Sequence, residues 1–217
     1  MKNSVKATLI AIAVAVVLAI VGIVFAINQQ AKPTPTASGE PLQTVRTDSH
    51  VLDDGGADAV TVVEFLDFEC EACGAFYPVV EELREKYEGD ITYVVRYFPL
   101  PGHVNSMQAA LAAEAAAQQD RFEDMYARLF ETQTQWAENS EETPEVFRAF
   151  AEDLGLDMAA YDAAIIDPAT AERVLSDKAD GEGLEVNSTP TFFVDGQRAD
   201  LQEWDDLEEA IEKAVNG

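Results

Sequence analysis

A predicted strand runs directly into a predicted helix at residues 60–76, VTVVEFLDFECEACGAF, and both cysteines of the chain lie at this junction. The run from Val60 to Asp67 is rich in β-branched residues, as strands are. The segment after Cys70 has apolar residues at helical spacing, and we expect it to continue as a helix to about Glu88. Any fold for this chain therefore has to place the thiols of Cys70 and Cys73 at one helix N-terminus.

The spacing of the two cysteines favours redox chemistry. Cysteines three positions apart close a loop too short to remove much entropy from the unfolded chain, so a purely stabilising disulfide is a weaker explanation. A structural zinc site needs about four ligands, and the two histidines, His50 and His103, are not spaced as a ligand pair. Helix N-terminal amides lower the pKa of a thiol. We therefore expect an exposed Cys70 to attack or be attacked, and Cys73 to resolve the mixed disulfide.

A long apolar run from Ala7 to Ile27 precedes this region. As a helix it would be about 30 Å long, which matches the hydrocarbon core of a bilayer. Lys2 and Lys6 lie before it and no acidic residue appears before Glu40, so the N-terminus is expected to stay in the cytoplasm and the rest to lie outside. A cleaved signal peptide is the alternative, and it would export the same residues.

The chain divides into an anchor, a spacer and one domain. We assign residues 1–6 to a cytoplasmic N-terminus, 7–27 to a transmembrane helix, 28–43 to a Pro/Thr/Ser-rich linker and 44–217 to the domain. The net charge is −27, and all 41 acidic residues follow the apolar run. This charge opposes binding to nucleic acid and favours a soluble, monomeric domain.

The order of predicted elements is β, β, α, β, a helical block, β, β, α. Thr44–Leu52 is a weak first strand and Ile91–Tyr97 a strong third one. Residues 104–182 contain helical patterns alone, with Thr143, Asp157 and Asp167 as expected N-caps. Strand signals return at residues 190–194, followed by an Asp195-Gly196 turn, a short return strand to Asp200 and a helix over Leu201–Val215.

Four features together resemble the DsbA-like branch of the thioredoxin superfamily. They are the strand–CxxC–helix unit, the acid Glu64 six residues before the first cysteine, Pro78 five residues after the second, and the segment 186–196, VNSTPTFFVDG. The segment 96–100, RYFPL, with His103 and the helices after it, is also similar to bacterial DsbA-like proteins. The resemblance implies an α/β thioredoxin fold with an inserted helical block.

The resemblance also implies roles for individual residues. Pro190 is expected to be cis and to face the two sulfurs, while the Thr189 backbone pairs with an extended substrate. Glu64 is expected to move a proton to or from Cys73. His103 fits either the rim of the site or a plain surface position, and Trp136 and Trp204 are expected to be packing residues in helices.

The implied activity is disulfide exchange with no cofactor beyond the Cys70–Cys73 disulfide. The favoured direction is oxidation of reduced, unfolded exported proteins, with a quinone-linked membrane partner that reoxidises the protein. A reductase or isomerase using the same dithiol and a non-catalytic tethered binding domain are the alternatives. Glu71 replaces the Pro common in relatives, and with Asp67 and Glu69 it is expected to raise the Cys70 pKa and make the protein less oxidising than the strongest DsbA proteins.

Overall fold

The computed structural model describes residues 43–137 and 139–217. Five strands form one sheet in the order β1-β3-β2-β4-β5, in which β2 and β3 are parallel and every other pair is antiparallel. The strands are β1 His50–Asp53, β2 Val60–Leu66, β3 Ile91–Tyr97, β4 Thr191–Val194 and β5 Gln197–Arg198. The predicted thioredoxin-like α/β fold is confirmed by this topology together with the helices between β3 and β4.

Strands β2 and β3 form the centre of the core because both of their faces are buried. Their register pairs Val60 with Ile91 and continues to Leu66 with Tyr97. Side chains on one face pack in the larger hydrophobic cluster with both cysteines. Side chains on the other face, including Phe65, form a smaller cluster. Such two-sided burial explains why these strands read as nearly continuous apolar runs.

The first helix, α1, spans Glu71–Lys86 with Cys70 as its N-cap and Pro78 inside it. It ends two residues before the predicted Glu88. The chain then turns through Gly89, whose φ of +83° is a left-handed conformation that favours glycine. Because β2 leads straight into α1, the end of the central strand and the beginning of this helix position the cysteine pair.

The predicted helical block between β3 and β4 is present. Asp157 and Asp167 accept hydrogen bonds from amides of the helices they precede, as expected of N-caps. Thr143 precedes its helix without such a bond, and its amide and hydroxyl both donate to Asn105 Oδ1. The helices of the block are α2 Ser106–Ala117, α3 Phe122–Glu131, α4 Gln133–Trp136, α5 Pro144–Asp153, α6 Met158–Ile166 and α7 Pro168–Gly183.

Two predicted element boundaries are wrong at the ends of the domain. The first strand begins at His50, because the chain before it turns between Arg46 and Ser49, where the Arg46 amide donates to the Ser49 hydroxyl at 2.9 Å. The last helix, α8, spans Asp206–Val215. It begins five residues late because the Asp206 carboxylate accepts the amides of the two residues Gln202 and Glu203 and holds them in a turn.

The predicted anchor at Ala7–Ile27 and the linker lie outside the described residues. Within residues 43–137 and 139–217, no helix combines the length and apolarity needed to cross a membrane.

A buried ion network joins β3 to α7 and to the chain that enters the domain. The Arg96 guanidinium, fully buried, donates to Asp177 Oδ1 at 2.5 Å and to Asp180 Oδ2 at 2.7 Å. It also donates to the Thr44 carbonyl at 2.7 Å. The second Asp177 oxygen accepts the Tyr97 amide at 3.1 Å. The network therefore fixes α7 against the sheet at the strand end nearest the cysteines.

We predict that Arg96→Ala lowers the free energy of unfolding by about 3 kcal/mol, because Asp177 and Asp180 lose their fully buried partner and keep only the contacts with Arg173 and Arg46. Urea denaturation of the purified protein measures this. The matched control is Arg148→Ala, which breaks an exposed pair with Asp162 and is expected to change stability little. Equal losses in the two variants would contradict a structural role for the network.

Candidate functional site

The two cysteine side chains have different surroundings although they are three residues apart. Cys70 has an extended backbone, with φ −68° and ψ 121°, and its carbonyl accepts the Gly74 amide at 3.0 Å. Cys73 lies in the first turn of α1, where 1% of its surface is exposed. Both are free thiols in this structure. One sulfur is therefore at the helix end, and the other lies inside the core.

Cys70 is not exposed at the tip as predicted. It retains 6% of its surface, because the loop before β4 covers it and its Sγ donates to the Thr189 carbonyl at 3.4 Å. The prediction of exposure followed from the position of Cys70 at the helix end, which does not show how closely a loop about 120 residues away covers the sulfur.

The pKa of the Cys70 thiol is lowered from 9.0 to about 5. The largest cause is a hydrogen bond from the Cys73 thiol, which outweighs the opposing effect of burial. The Thr189 side chain and the amides of Cys73 and Ala72 lower it further. The pKa of Cys73 is raised well above 9.0, chiefly by burial. At neutral pH the site therefore favours one thiolate and one thiol, with the charge on Cys70.

Glu64 is a buried acid rather than a solvated strand carboxylate. It is 2% exposed, and its Oε2 accepts a 2.6 Å hydrogen bond from the Tyr93 hydroxyl on β3. Burial raises its pKa to about 7, although the Tyr93 bond opposes the rise. Its charge contributes to the raised pKa of Cys73. A carboxyl group that titrates near neutrality thus lies within electrostatic reach of the inner sulfur.

The Thr189–Pro190 peptide bond is cis, as the resemblance implied. Thr189 is 8% exposed, and its hydroxyl has no hydrogen-bond partner among the described residues. Its carbonyl faces Cys70 Sγ. A buried hydroxyl without a partner is costly, and here it is available to donate to the Cys70 thiolate, for which it is one of the stabilising groups.

The predicted acidic neighbours affect Cys70 less than their sequence positions suggest. The Asp67 carboxylate accepts the Glu69 amide at 2.9 Å, the Leu100 amide at 2.9 Å and His103 Nδ1 at 2.7 Å. The Glu69 carboxylate accepts the Asn105 amide. Glu71 is exposed to solvent. None of these three carboxylates is among the main causes of the shift in the Cys70 pKa, so the predicted rise in that pKa is not found.

The sequence analysis missed Gln133, which connects the helical block to the cysteine turn. Its Nε2 donates to the carbonyls of Phe68 and Cys70, both at 2.8 Å. Its Oε1 occupies the space where a Cβ at Gly74 would be, 2.0 Å away. A side chain at Gly74 would therefore displace the Gln133 amide from this position. No sequence pattern indicates the pairing, because the residues are about 60 positions apart.

Trp204 lies in the turn before α8 and not in a helix as predicted. It is 55% exposed and packs on Phe76 of α1, with the two ring centroids 4.7 Å apart. Phe76 in turn packs against Phe192 of β4 at 5.7 Å. Together Phe76 and Trp204 form a partly exposed aromatic surface beside the CxxC helix. Trp136 is fully buried against Phe147, so the packing prediction is confirmed there.

We predict that Thr189→Val raises the Cys70 pKa by about one unit, because the thiolate loses a hydroxyl donor while side-chain shape is kept. The thiolate absorbance of the reduced protein, followed against pH, measures the midpoint. Thr61→Val, at the far end of β2, is the matched control and is expected to keep the wild-type midpoint. A wild-type midpoint in the Thr189 variant would show that this hydroxyl does not act on the sulfur.

Comparison with known proteins places this geometry in a family. A family model described as Thioredoxin matches residues 51–213. Among curated proteins, Na(+)/H(+) antiporter NhaA 1 of Mycobacterium sp. (strain KMS) is 38% identical over 152 residues, 69% of this chain and 24% of that protein. The chain thus spans about a quarter of the length of that curated relative.

Solved structures extend the comparison. A thioredoxin-like oxidoreductase from Silicibacter pomeroyi DSS-3 is 26% identical with a TM-score of 0.65, covering 79% of this chain and 95% of that one. BdbD from Bacillus subtilis is 25% identical with a TM-score of 0.66, covering 78% and 94%. Alpha-DsbA1 from Wolbachia pipientis, 21% identical with a TM-score of 0.69 and coverage of 81% and 94%, shares the fold.

Proposed function

The chain belongs to the thioredoxin family, and from that premise we propose that it is a DsbA-like thiol–disulfide oxidoreductase whose Cys70–Cys73 disulfide oxidises cysteine pairs in exported proteins. The observation that carries the proposal is the low pKa of Cys70, about 5, beside a Cys73 pKa raised well above 9.0. If these surroundings stabilise the reduced form, the protein tends to act as an oxidase. If they stabilise the disulfide, it tends to act as a reductase.

A stabilised thiolate favours the reduced form of the protein. A Cys70 thiolate, whose pKa the Cys73 thiol and the Thr189 side chain lower, exists only when the disulfide is broken. Each tenfold stabilisation of the reduced form raises the potential of a two-electron couple by about 30 mV. The oxidised protein therefore tends to pass its disulfide to a substrate, which is the action of an oxidase rather than of a reductase.

The exchange proceeds in two balanced steps. A substrate thiolate attacks Cys70 Sγ, so the Cys70–substrate disulfide forms and the Cys70–Cys73 bond breaks. Cys73 leaves as a thiolate and takes a proton, for which Glu64, with a pKa of about 7, is the proposed donor. A second substrate thiolate then attacks the substrate sulfur, and Cys70 leaves as a stabilised thiolate. The substrate loses two electrons and the protein gains them.

Substrates of this reaction would be unfolded and partly apolar. The aromatic surface of Phe76 and Trp204 is partly exposed beside the CxxC helix, and it suits the apolar side chains of an unfolded chain. The Thr189 backbone at the edge of the covering loop is the proposed site for strand-like pairing with the segment that carries the substrate cysteine. The two contacts would hold an extended peptide across Cys70.

We place the reaction outside the cytoplasm, since the apolar run Ala7–Ile27, with its lysines on the N-terminal side, fits a single membrane anchor with an exported domain. Disulfides persist in oxidising compartments. Renewed turnover needs an electron acceptor, and a quinone-linked membrane protein is the proposed class of partner. Ion transport is not proposed for this chain, because its match covers 24% of the antiporter-named relative.

The direction is tested by equilibrating the purified protein with glutathione buffers and then adding a reduced, unfolded substrate protein. We predict a reduction potential between about −270 mV, as in thioredoxin, and about −120 mV, as in DsbA, with stoichiometric oxidation of substrate. Cys73→Ser is expected to accumulate a mixed disulfide through Cys70, while the matched control Cys70→Ser accumulates none. A potential at or below that of thioredoxin would favour a reductase, and a disulfide inert to glutathione and substrate would favour a binding domain.

A further inference from the structure

His103 reaches the cysteine turn through the buried carboxylate of Asp67. Asp67 lies directly after β2, and its carbonyl accepts the Cys70 amide at 3.1 Å. Its side chain is fully buried, and Oδ2 contacts His103 Nδ1 at 2.7 Å. The imidazole is 26% exposed, so it spans from this buried carboxylate to solvent. A single residue, Asp67, thus holds both the Cys70 backbone and the His103 ring.

The hydrogen bonds of Asp67 determine which nitrogen of the His103 ring gains or loses a proton as the pH changes. Asp67 also accepts two backbone amides, those of Glu69 and Leu100, as a carboxylate does. Since a carboxylate can only accept, His103 Nδ1 carries a proton in this contact. The proton that His103 gains or loses with pH is therefore on Nε2. The ring keeps one orientation in both charge states.

The loop that carries His103 is clamped to the cysteine turn. The Leu100 amide donates to Asp67 at 2.9 Å, and the Asn105 amide donates to Glu69 at 2.5 Å. From the other side, Lys178 of α7 donates to the Pro99 carbonyl at 2.8 Å. The ring therefore holds a fixed position against the turn.

The charge on Cys70 is coupled to the charge on His103. The Asp67 hydrogen bond and the charges of Asp67, Cys70 and Glu69 raise the pKa of His103 above 6.5, against the effect of burial. Coupling between two sites is reciprocal. If the Cys70 thiolate raises the pKa of the imidazole, the imidazolium must lower the pKa of Cys70 by the same free energy. The charged groups that act on the ring are Asp67, Cys70 and Glu69. Lys178 of α7 also lies against this loop, with its ammonium bonded to the Pro99 carbonyl.

We propose that His103 is a positioning residue for the redox reaction, holding on Asp67 a titratable positive charge that stabilises the Cys70 thiolate and offsets the negative charge of Asp67. The proposal rests on the proposed function for its relevance to catalysis. The stabilisation of the Cys70 thiolate by His103 does not depend on the direction of electron flow. It also explains how a CxxC motif flanked by carboxylates keeps an acidic first cysteine.

The pH window follows from the two pKa shifts. The Cys70 thiolate exists above about pH 5, and the imidazolium persists to a pH above 6.5 because the pKa of His103 is raised. The Cys70 thiolate and the His103 imidazolium are therefore both present between about pH 5 and the pKa of His103. Their attraction weakens above the window, as His103 loses its Nε2 proton. The reactivity of Cys70 toward iodoacetamide should accordingly show a second inflection at the pKa of His103.

The experiment compares three variants of the purified, reduced protein. His103→Gln keeps a hydrogen-bond donor for Asp67 but removes the charge. His103→Lys keeps a positive charge at that position. His50→Gln is the matched control, because the second histidine of the chain contacts Glu114 and Tyr97 instead. The readouts are thiolate absorbance against pH, the pH profile of iodoacetamide reactivity, and the equilibrium constant with glutathione.

We expect His103→Gln to raise the Cys70 midpoint by about half a unit and to shift the glutathione equilibrium about threefold toward the disulfide. The second inflection is expected to disappear. His103→Lys is expected to keep a midpoint near that of wild type, and His50→Gln to change neither value. An unchanged midpoint in His103→Gln, or an equal rise in His103→Gln and His103→Lys, would overturn the proposal.

These outcomes separate the proposal from the proposed function. If wild-type protein fails to oxidise substrate but the His103→Gln midpoint rises, the oxidase assignment fails and the role of His103 stands. If substrate is oxidised and the midpoint does not move, the oxidase assignment stands and the role of His103 fails.

Discussion

The site depends on unequal stabilisation of two sulfurs that are one helical turn apart. Cys70 caps α1 and faces Thr189, so a thiolate there meets hydrogen-bond donors. Cys73 is inside the core, where burial keeps it a thiol. Neither condition is local to the CxxC motif. The first needs the loop before β4, and the second needs the sheet and the helical block to close over α1.

The carboxylates around the cysteine turn differ in their hydrogen-bond partners. Asp67 holds the cysteine turn and is paired with His103, while Glu69 accepts a backbone amide. Glu64 is different, because a neutral tyrosine is its hydrogen-bond partner and burial raises its pKa to about 7. Glu64 can therefore exchange protons near neutral pH, while Asp67 and Glu69 accept hydrogen bonds that hold the cysteine turn. The effect of each carboxylate near the cysteines thus depends on its hydrogen-bond partners and its burial, and not on its distance from the cysteines in sequence.

The sequence predicted the features that depend on short-range patterns. The central strands, the start of α1 at the cysteines, the helical block, the Asp157 and Asp167 caps and the turn after β4 all follow from local periodicity and capping. Local patterns do not predict contacts between distant segments. The approach of Thr189 to Cys70 was indicated only by the family resemblance. The Gln133 contact with the cysteine turn and the His103–Asp67 pair join segments that carry no sign of their proximity. Trp204 was misplaced because the Asp206 side chain delays the last helix.

The fold stabilises the Cys70 thiolate, and a comparison of the free energies of unfolding of the reduced and oxidised protein measures this stabilisation. The Cys70 pKa is lowered from 9.0 to about 5 on folding. Its stabilising contribution is therefore complete above pH 9, partly present at pH 7 and lost as pH falls to about 5. We predict that the reduced form is the more stable at pH 7 and that its advantage shrinks toward pH 5 and below. A more stable oxidised form at pH 7, or a difference that does not vary with pH, would contradict the account.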